Sequence, residues 1–557
     1  MVAQWTTPGF WPGESPSSQT RWPDGEKSPE ADILRSRCAT DQEAFAHHFF
    51  PDFCTAPFSR MHQDFFALAA TRLRENIRGW RDVTAAPRGS AKTTVKGKIQ
   101  LLHDAIYGTE QYIIIGSANA DLARDKVKEL REIFEENTEL RRVYGPQETN
   151  EWRMGDFITR CGCHFRGFTP RSSVRGVLRR GQRPTKIMLD DGESPADVLT
   201  ELRRSRIWTW YTHDVARLGI DGYTNFDIIG TVLHPQSLLA RLLTQPGYTP
   251  HRYQGVERFA GDPTMCSSAE QRVCLDLWQQ WRLIMQQAGP NHVEAAQAFF
   301  DAHHDAMLQG SSVLWPQRQS YYANMLSRIV DGESSFWQEI QNEPLADRRY
   351  LFDMERAAYC TAQPGGVLRD DGTFIPWQDI LDVAGAWDPT PDKRDATGSD
   401  YASCALVCRD RHGFLYAIDV YLAQEVSTDK QIQAIVDMLW YWQVPLLGIE
   451  ANNFASLLVR NMQEAIAQRA KEEGVRWDVR LVPLSNVRNK ILRIKTLEPL
   501  IQNHWLQFAR TLPLEALRQM REFLPIENAG KDDYPDSVEM GCRVVQGLYD
   551  TRAFAAS

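Results

Sequence analysis

Three carboxylates stand at the ends of separate ordered runs in the C-terminal part of the chain. Asp388 closes the apolar run VAGAWD, Glu450 closes LLGIE, and Asp536 lies in KDDYPDSVEMGC at the start of a predicted helix. Singly, an Asp after a strand is a cap or a turn residue; three that converge on one sheet edge do different chemistry. Phosphodiester cleavage by two magnesium ions needs such a cluster, because each ion is fixed by hard oxygens while it bridges the scissile phosphate. In this reading Asp388 bridges both ions, Glu450 and Asp536 complete the sites, and Mn2+ substitutes for Mg2+. Asp533 competes with Asp536 for the third place, since a spacing of three residues puts both on one helical side.

A second set of residues is suited to nucleotide hydrolysis. VTAAPRGSAKTT, from Val83 to Thr94, places a small-residue loop between a short apolar entry and a helix. Against the pattern G-x-x-x-x-G-K-[ST], Ala86 and Ala91 occupy the glycine positions while Lys92 and Thr93 match the ending. ATP binding requires backbone N–H groups turned to phosphate, a lysine on the β and γ phosphates and a hydroxyl on Mg2+. The expected contacts therefore run over Arg88, Gly89, Ser90, Ala91, Lys92 and Thr93. Further on, KIMLDDGES sets carboxylates past the end of an apolar strand, where a parallel sheet faces its ligand. Asp190 is expected to hold Mg2+ with Thr93, and Asp191 or Glu193 to orient the attacking water. The ordinary reading of this motif is an Asp-rich turn capping the helix from Pro195.

Thr231, in NFDIIGTVLHPQSLL, resembles a motif that senses the γ-phosphate, and Gln63, in PFSRMHQDFF, offers an amide able to read adenine. An arginine is wanted where charge develops on the transferring phosphoryl group. Arg175 in RSSVRGVLRRG is the first candidate and Arg179 the second, acting within the chain or on a neighbouring subunit.

The elements that must position these residues read as two α/β patterns. Residues 1–48, rich in Pro, Ser, Gly and charge, read as a loosely ordered arm. Over 49–255 apolar strands alternate with helices, with Tyr112 to Ile115, Ile187 to Leu189 and Phe226 to Ile229 as buried parallel strands. This predicts a phosphate-loop sheet with helices on both faces. Residues 256–378 read as a mainly helical lid or connector. In 379–557, Val383 to Trp387, Ala402 to Val407 and Phe414 to Val420 form a predicted three-strand meander, followed by a helix, the strand Leu446 to Ile449 and another helix. That order is the order of an RNase H-like fold.

A length of 557 residues exceeds one core. The apolar fraction of 43% comes without a run of membrane-spanning length and without a secretory leader, which predicts a cytoplasmic protein with no membrane partner. The ten cysteines are scattered as thiols of a reducing compartment would be, and Cys161, Cys163 and His164 read as strand residues, not a zinc site. A net charge of −9 excludes an all-over basic coat but not a local channel for DNA. Arg171, Arg175, Arg179, Arg180 and Arg183 form one basic cluster. Arg488, Lys490, Arg493 and Lys495, in RNKILRIK, form another, read as a helix that tracks a phosphate backbone.

Taken in order, APRGSAKTT, IMLDDGES, IIGTVLHPQSLL, FWQEIQNEP, AWDPT, GIEANNFA and KDDYPDSVEM resemble the large terminase subunit of tailed bacteriophages, over about Phe49 to Leu548. The resemblance implies an ATP-driven motor that packages double-stranded DNA into a prohead through its portal, and a nuclease that cuts concatemers. It also implies a small terminase subunit, a ring of large subunits and a place in the host cytoplasm, transiently docked on the prohead. The chain departs from the family in its two phosphate-loop alanines and in Asp191, where many relatives have glutamate. Two other readings start from the same residues: a helicase-like translocase with a nuclease tail, and a nucleotide-bound assembly protein with degenerate sites.

Overall fold

The computed structural model describes residues 21–170, 182–290, 293–344, 351–389, 401–424, 426–450, 455–484, 486, 489–525 and 531–548. The chain forms two compact units. One comprises Met1–Glu257, Val313–Ser320 and Trp337–Pro344, the other Arg258–Ser312, Tyr321–Phe336 and Leu345–Ser557. The stretch read as a connector is thus shared out: two short returns belong to the first unit, and the helices Ser268–Ala288, Val293–Ala302 and Tyr321–Val330 to the second.

In the first unit eight described strands make one sheet, in the order Trp152–Arg153, Asp156–Ile158, His164–Phe168, Tyr112–Gly116, Lys186–Asp190, Asn225–Gly230, Arg81–Ala85, Thr249–Arg252. All but the first two are parallel. Side chains alternate across a strand. Accordingly Ile113, Ile115 and Met188 join one core, while Ile114, Ile187 and Leu189 join another on the opposite face. Continuous apolar runs of this kind are what a sheet covered on both faces demands.

Residues 21–48 depart from the expected loose arm. Ser28 caps the helix Pro29–Cys38 and Asp41 caps Gln42–Phe49. Cys38, Phe45 and Ala46 are fully buried in the first core. The Pro- and Ser-rich start of the chain had masked the helical spacing of Phe45 and Phe49; residues 1–20 lie outside the described part.

Beneath the sheet lies a lattice of buried charge. Asp227, 1% exposed, accepts Lys96 at 2.6 Å and faces Lys186 at 3.3 Å. Arg72 forks onto Asp82 with two bonds of 2.7 Å, and Lys186 reaches Asp104 at 2.8 Å. Each ion is matched, and removing one member strands its partner in a dry site. Asp227→Asn is therefore expected to destabilise the first unit by about 3–5 kcal/mol, read as a shift of its transition to lower urea in the full chain.

In the second unit nine described strands form a mixed sheet, in the order Phe374–Pro376, Gly366–Arg369, Ala358–Gln363, Leu506–Ala509, Leu415–Ala423, Ala402–Asp410, Ile380–Asp388, Leu446–Glu450, Arg480–Leu484. The meander of 380–423, the helix Thr428–Tyr441, the strand Leu446–Glu450 and the helix Ala455–Glu472 follow one another as the sequence predicts. Cys404 and Cys408 are core residues, and all ten cysteines are free thiols. Among the described residues no helix is long and apolar enough to cross a membrane.

The helix Asp533–Val545 lies close on this sheet. A Cβ on Gly541 would meet Val407 Cγ2 at 2.6 Å, and one on Gly448 would meet Val544 Cγ2 at 2.8 Å. On the other face, a Cβ on Gly385 would approach Leu439 of the helix Thr428–Tyr441 at 3.3 Å. Gly385 and Ala386 point to opposite faces, as do Leu447 and Gly448. By the same alternation, Asp388 and Glu450 project to the face that carries Asp533–Val545.

Candidate functional sites

In the first unit the predicted nucleotide residues collect at the C-terminal edge of the parallel strands. Ala86 N donates to Gly230 O at 3.1 Å, which ties the loop to the strand that ends before Thr231. Lys92 Nζ donates to Thr231 Oγ1 at 3.3 Å, and Thr93 Oγ1 to Asp190 Oδ1 at 3.0 Å. The hydroxyl and carboxylate expected to share Mg2+ therefore already meet, and the donor set suits a hard cation. Lys126, which sequence reading missed, holds the other oxygen of Asp190 at 2.6 Å.

The loop is shaped without glycines at the two pattern positions. Ala91 takes φ 58°, a left-handed conformation that costs an L-residue about 1 kcal/mol. Gly89 has φ +75° with open space around its Cα, so its need is conformational and not steric. Ser90 is turned inward, its hydroxyl donating to Pro87 O at 2.7 Å. Arg88 N donates to Glu339 O at 2.9 Å, and burial holds the Glu339 carboxyl above its ordinary range.

The two candidates for orienting water separate. Glu193 accepts Leu238 N at 2.8 Å and Leu239 N at 3.2 Å, so it caps the helix Leu238–Leu242. This corrects its candidacy as a catalytic acid: both oxygens are engaged by backbone. Asp191, at φ 48°, is left beside the loop. Burial, then the neighbouring Asp190, raise its carboxyl, while the charges of Lys92, Lys126 and Arg88 oppose the shift. Gln63 is exposed in the first turn of the helix Arg60–Glu75. Arg171, Arg175, Arg179 and Arg180 lie outside the described residues. Arg183, exposed, donates from NH1 to Arg217 O at 3.1 Å.

Next to Gln63, His62 was not singled out by sequence. Ser59 N donates to its Nδ1 at 3.1 Å, so Nε2 carries the hydrogen and donates to Ser90 O at 2.8 Å. His62 thus acts where a capping box has Glu or Gln, and its far nitrogen fixes the phosphate loop. Burial pushes its ring down to about 4 from an ordinary 6.5, with the bond to Ser90 opposing. The unfolded chain then binds more protons than the folded one between these values, so stability is lost as pH falls through that window, by up to about 1.4 kcal/mol per unit. His62→Gln is expected to show a shallower loss than wild type in urea titrations from pH 6.5 down to 4.

In the second unit the three predicted carboxylates are brought together. Trp387 pairs with Ile449 in parallel register, which sets Asp388 beside Glu450, and the two side chains are hydrogen-bonded. Asp536 sits in the first turn of Asp533–Val545, 1% exposed. Lys490 Nζ lies among the acids, 2.9 Å from Asp532, 3.3 Å from Asp536 and 3.9 Å from Asp388. Burial, then Glu450, raise the Asp388 carboxyl well above the ordinary range. Burial acts on Glu450 in the same sense, but Asp388, Asn486 and the charges of Arg493 and Lys490 together outweigh it and hold Glu450 below.

Asp533, the competitor for the third place, accepts Tyr401 N at 3.2 Å through Oδ2. Among the described residues no group of three or more acids, cysteines or histidines stands arranged to hold a metal ion, and the Lys490 ammonium lies 3.3 Å from Asp536. The donor set still fits Mg2+ or Mn2+: hard oxygens surround a place where a cation already sits. The reading of RNKILRIK as a DNA-tracking helix is overturned for its described residues. Arg493 is 6% exposed and paired to Asp536 at 2.8 Å, and Lys490 points into the acids. Burial lowers Lys495. Arg488 lies outside the described residues.

No family model matches the chain, and no curated protein matches it. Among solved structures, the nuclease domain of human cytomegalovirus terminase matches at 15% identity and TM-score 0.24, covering 30% of this chain and 83% of that one. The nuclease domain of the large terminase subunit of bacterial virus Sf6 matches at 12% and 0.21, covering 29% and 87%. Thermus thermophilus RuvC matches at 15% and 0.15, covering 30% and 98%. At these TM-scores the likenesses carry no argument, and the chemistry rests on the side chains.

Proposed function

We propose that the chain is a metal-dependent endodeoxyribonuclease joined to an ATPase, working as the large subunit of a terminase. The observation that carries this is the convergence of Asp388, Glu450 and Asp536 on one face of the second sheet around the Lys490 ammonium. Asp388, Glu450 and Asp536 are the residues to hold Mg2+ or Mn2+. Such ions, when bound, supply Lewis-acid stabilisation of a phosphodiester under attack. The chain's own part is to hold three acids at one edge and to set Lys490 where it neutralises the cluster.

In the first unit, Lys92 and the loop amides bind the ATP phosphates, Thr93 and Asp190 hold Mg2+, and Asp191 orients the water. Thr231, bonded to Lys92, is placed to feel the loss of the γ-phosphate. Under this reading the substrate is concatemeric double-stranded DNA, moved into a prohead through its portal by a ring of these chains with a small terminase subunit. The test is plasmid cleavage in Mg2+ or Mn2+, with ATP hydrolysis measured with and without double-stranded DNA. Cleavage and DNA-stimulated hydrolysis are expected. A pure chain that does neither in the presence of both metals contradicts the proposal.

A further inference from the structure

Behind the three acids runs a second tier that joins two of them. Asn486 Nδ2 donates to Glu450 Oε1 at 2.7 Å, and its own Oδ1 accepts Arg543 NH2 at 2.8 Å. Arg543 Nε lies 2.7 Å from Glu539 Oε1. The other oxygen of Glu539 accepts Arg493 NH1 at 2.8 Å, and Arg493 pairs with Asp536 at 2.8 Å. The path from Glu450 to Asp536 is therefore continuous, hydrogen-bonded at every link except Arg543–Glu539, which is a buried ion pair without hydrogen-bond geometry.

Its placement follows from one helix. Asp536, Glu539 and Arg543 are spaced by three and four residues, so they share a face of Asp533–Val545. Glu539 is 3% exposed, yet both of its oxygens are taken by arginines, so it is a poor candidate for a metal ligand. A buried carboxylate held between two arginines needs a reason beyond stability, since an apolar substitute of the same size commonly does as well. Like-charged Glu450 and Asp536 repel, and their separation must be fixed before a cation arrives. A donor on each, tied to a common acid, fixes it.

We infer that Asn486, Arg543, Glu539 and Arg493 form a brace that sets the spacing of Glu450 and Asp536 for a divalent cation. They are positioning residues, and the inference rests on the proposed metal-dependent reading of this site. Residues behind metal ligands typically change affinity by 10- to 100-fold. A brace has a further property: cutting it once removes its effect, so two cuts cost no more than one.

The test is Mn2+ binding to the full chain, followed by the electron paramagnetic resonance of free Mn2+, for wild type, Asn486→Ala, Glu539→Gln and the double variant. Each single variant is expected to weaken Mn2+ about tenfold or more, with the double no weaker than the weaker single. Unchanged affinity in both variants, or losses that multiply in the double, overturns the brace while wild-type binding keeps the metal site. A wild type that binds no Mn2+ overturns the site and the brace together. Circular dichroism decides which variants count. Asn486 is only half-buried, so Asn486→Ala decides alone if Glu539→Gln does not fold.

Discussion

Asp388→Ala is expected to lower DNA cleavage by more than about a hundredfold while ATP hydrolysis stays at the wild-type rate; replacing residues merely behind a metal ligand already costs 10- to 100-fold. Asp388 ends a central strand between Ala402–Asp410 and Leu446–Glu450, paired to Ser403 on one side and following Trp387, which pairs with Ile449 on the other. Its side chain lies beside Glu450 and is the nearest acid to Lys490 on that strand. Alanine removes both relations and leaves the ammonium facing two acids, not three. Plasmid relaxation assays in Mn2+ read the loss directly. Cleavage at the wild-type rate in the variant would move the nuclease centre elsewhere in the chain.

Lys92→Ala is expected to lower ATP hydrolysis by about a hundredfold to a thousandfold, the range seen when one preorganised charge partner of a transition state is lost, and to leave cleavage intact. Lys92 is 7% exposed and its ammonium donates to the Thr231 hydroxyl and not into the buried ion lattice, so the fold tolerates its removal better than that of Lys96 or Lys186. Phosphate release over time, with plasmid cleavage assayed on the same samples, separates the two effects. Hydrolysis unchanged in this variant would favour the nucleotide-bound assembly protein over a motor.

Much of the architecture was legible because it rests on periodicity. Buried parallel strands announce themselves as runs such as YIII and KIML, and the meander as three apolar runs divided by turns. That Asp388, Glu450 and Asp536 come together was legible because each stands where a strand or helix ends or begins at the same sheet edge. What escaped depends on contacts far apart in sequence. Glu193 has the place of a catalytic acid in KIMLDDGES, but only the fold shows the helix end 45 residues on that engages it. Lys126 and His62 are an ordinary helical lysine and a residue beside a motif until Asp190 and Ser90 are brought to them. RNKILRIK looked like a solvated basic helix, since nothing local reveals that Arg493 answers to Asp536 and Glu539 across more than forty residues.

The short returns Val313–Ser320 and Trp337–Pro344 bear on how the first unit can be isolated. Trp315 Nε1 donates to Pro57 O at 2.7 Å and its ring lies edge-on to His62, 4.8 Å between centroids. Asn342, fully buried, accepts Val232 N at 3.1 Å and donates to Tyr253 O at 2.9 Å. Gln341 closes on both the N–H and the carbonyl of Val256. A chain ended after Glu257 has every strand of the first sheet yet leaves these backbone groups unanswered and the phosphate loop without Glu339. The excisable first unit is thus defined by its stitching and not by its last strand: a protease nick between 258 and 312 spares it, whereas a stop codon at the same place does not.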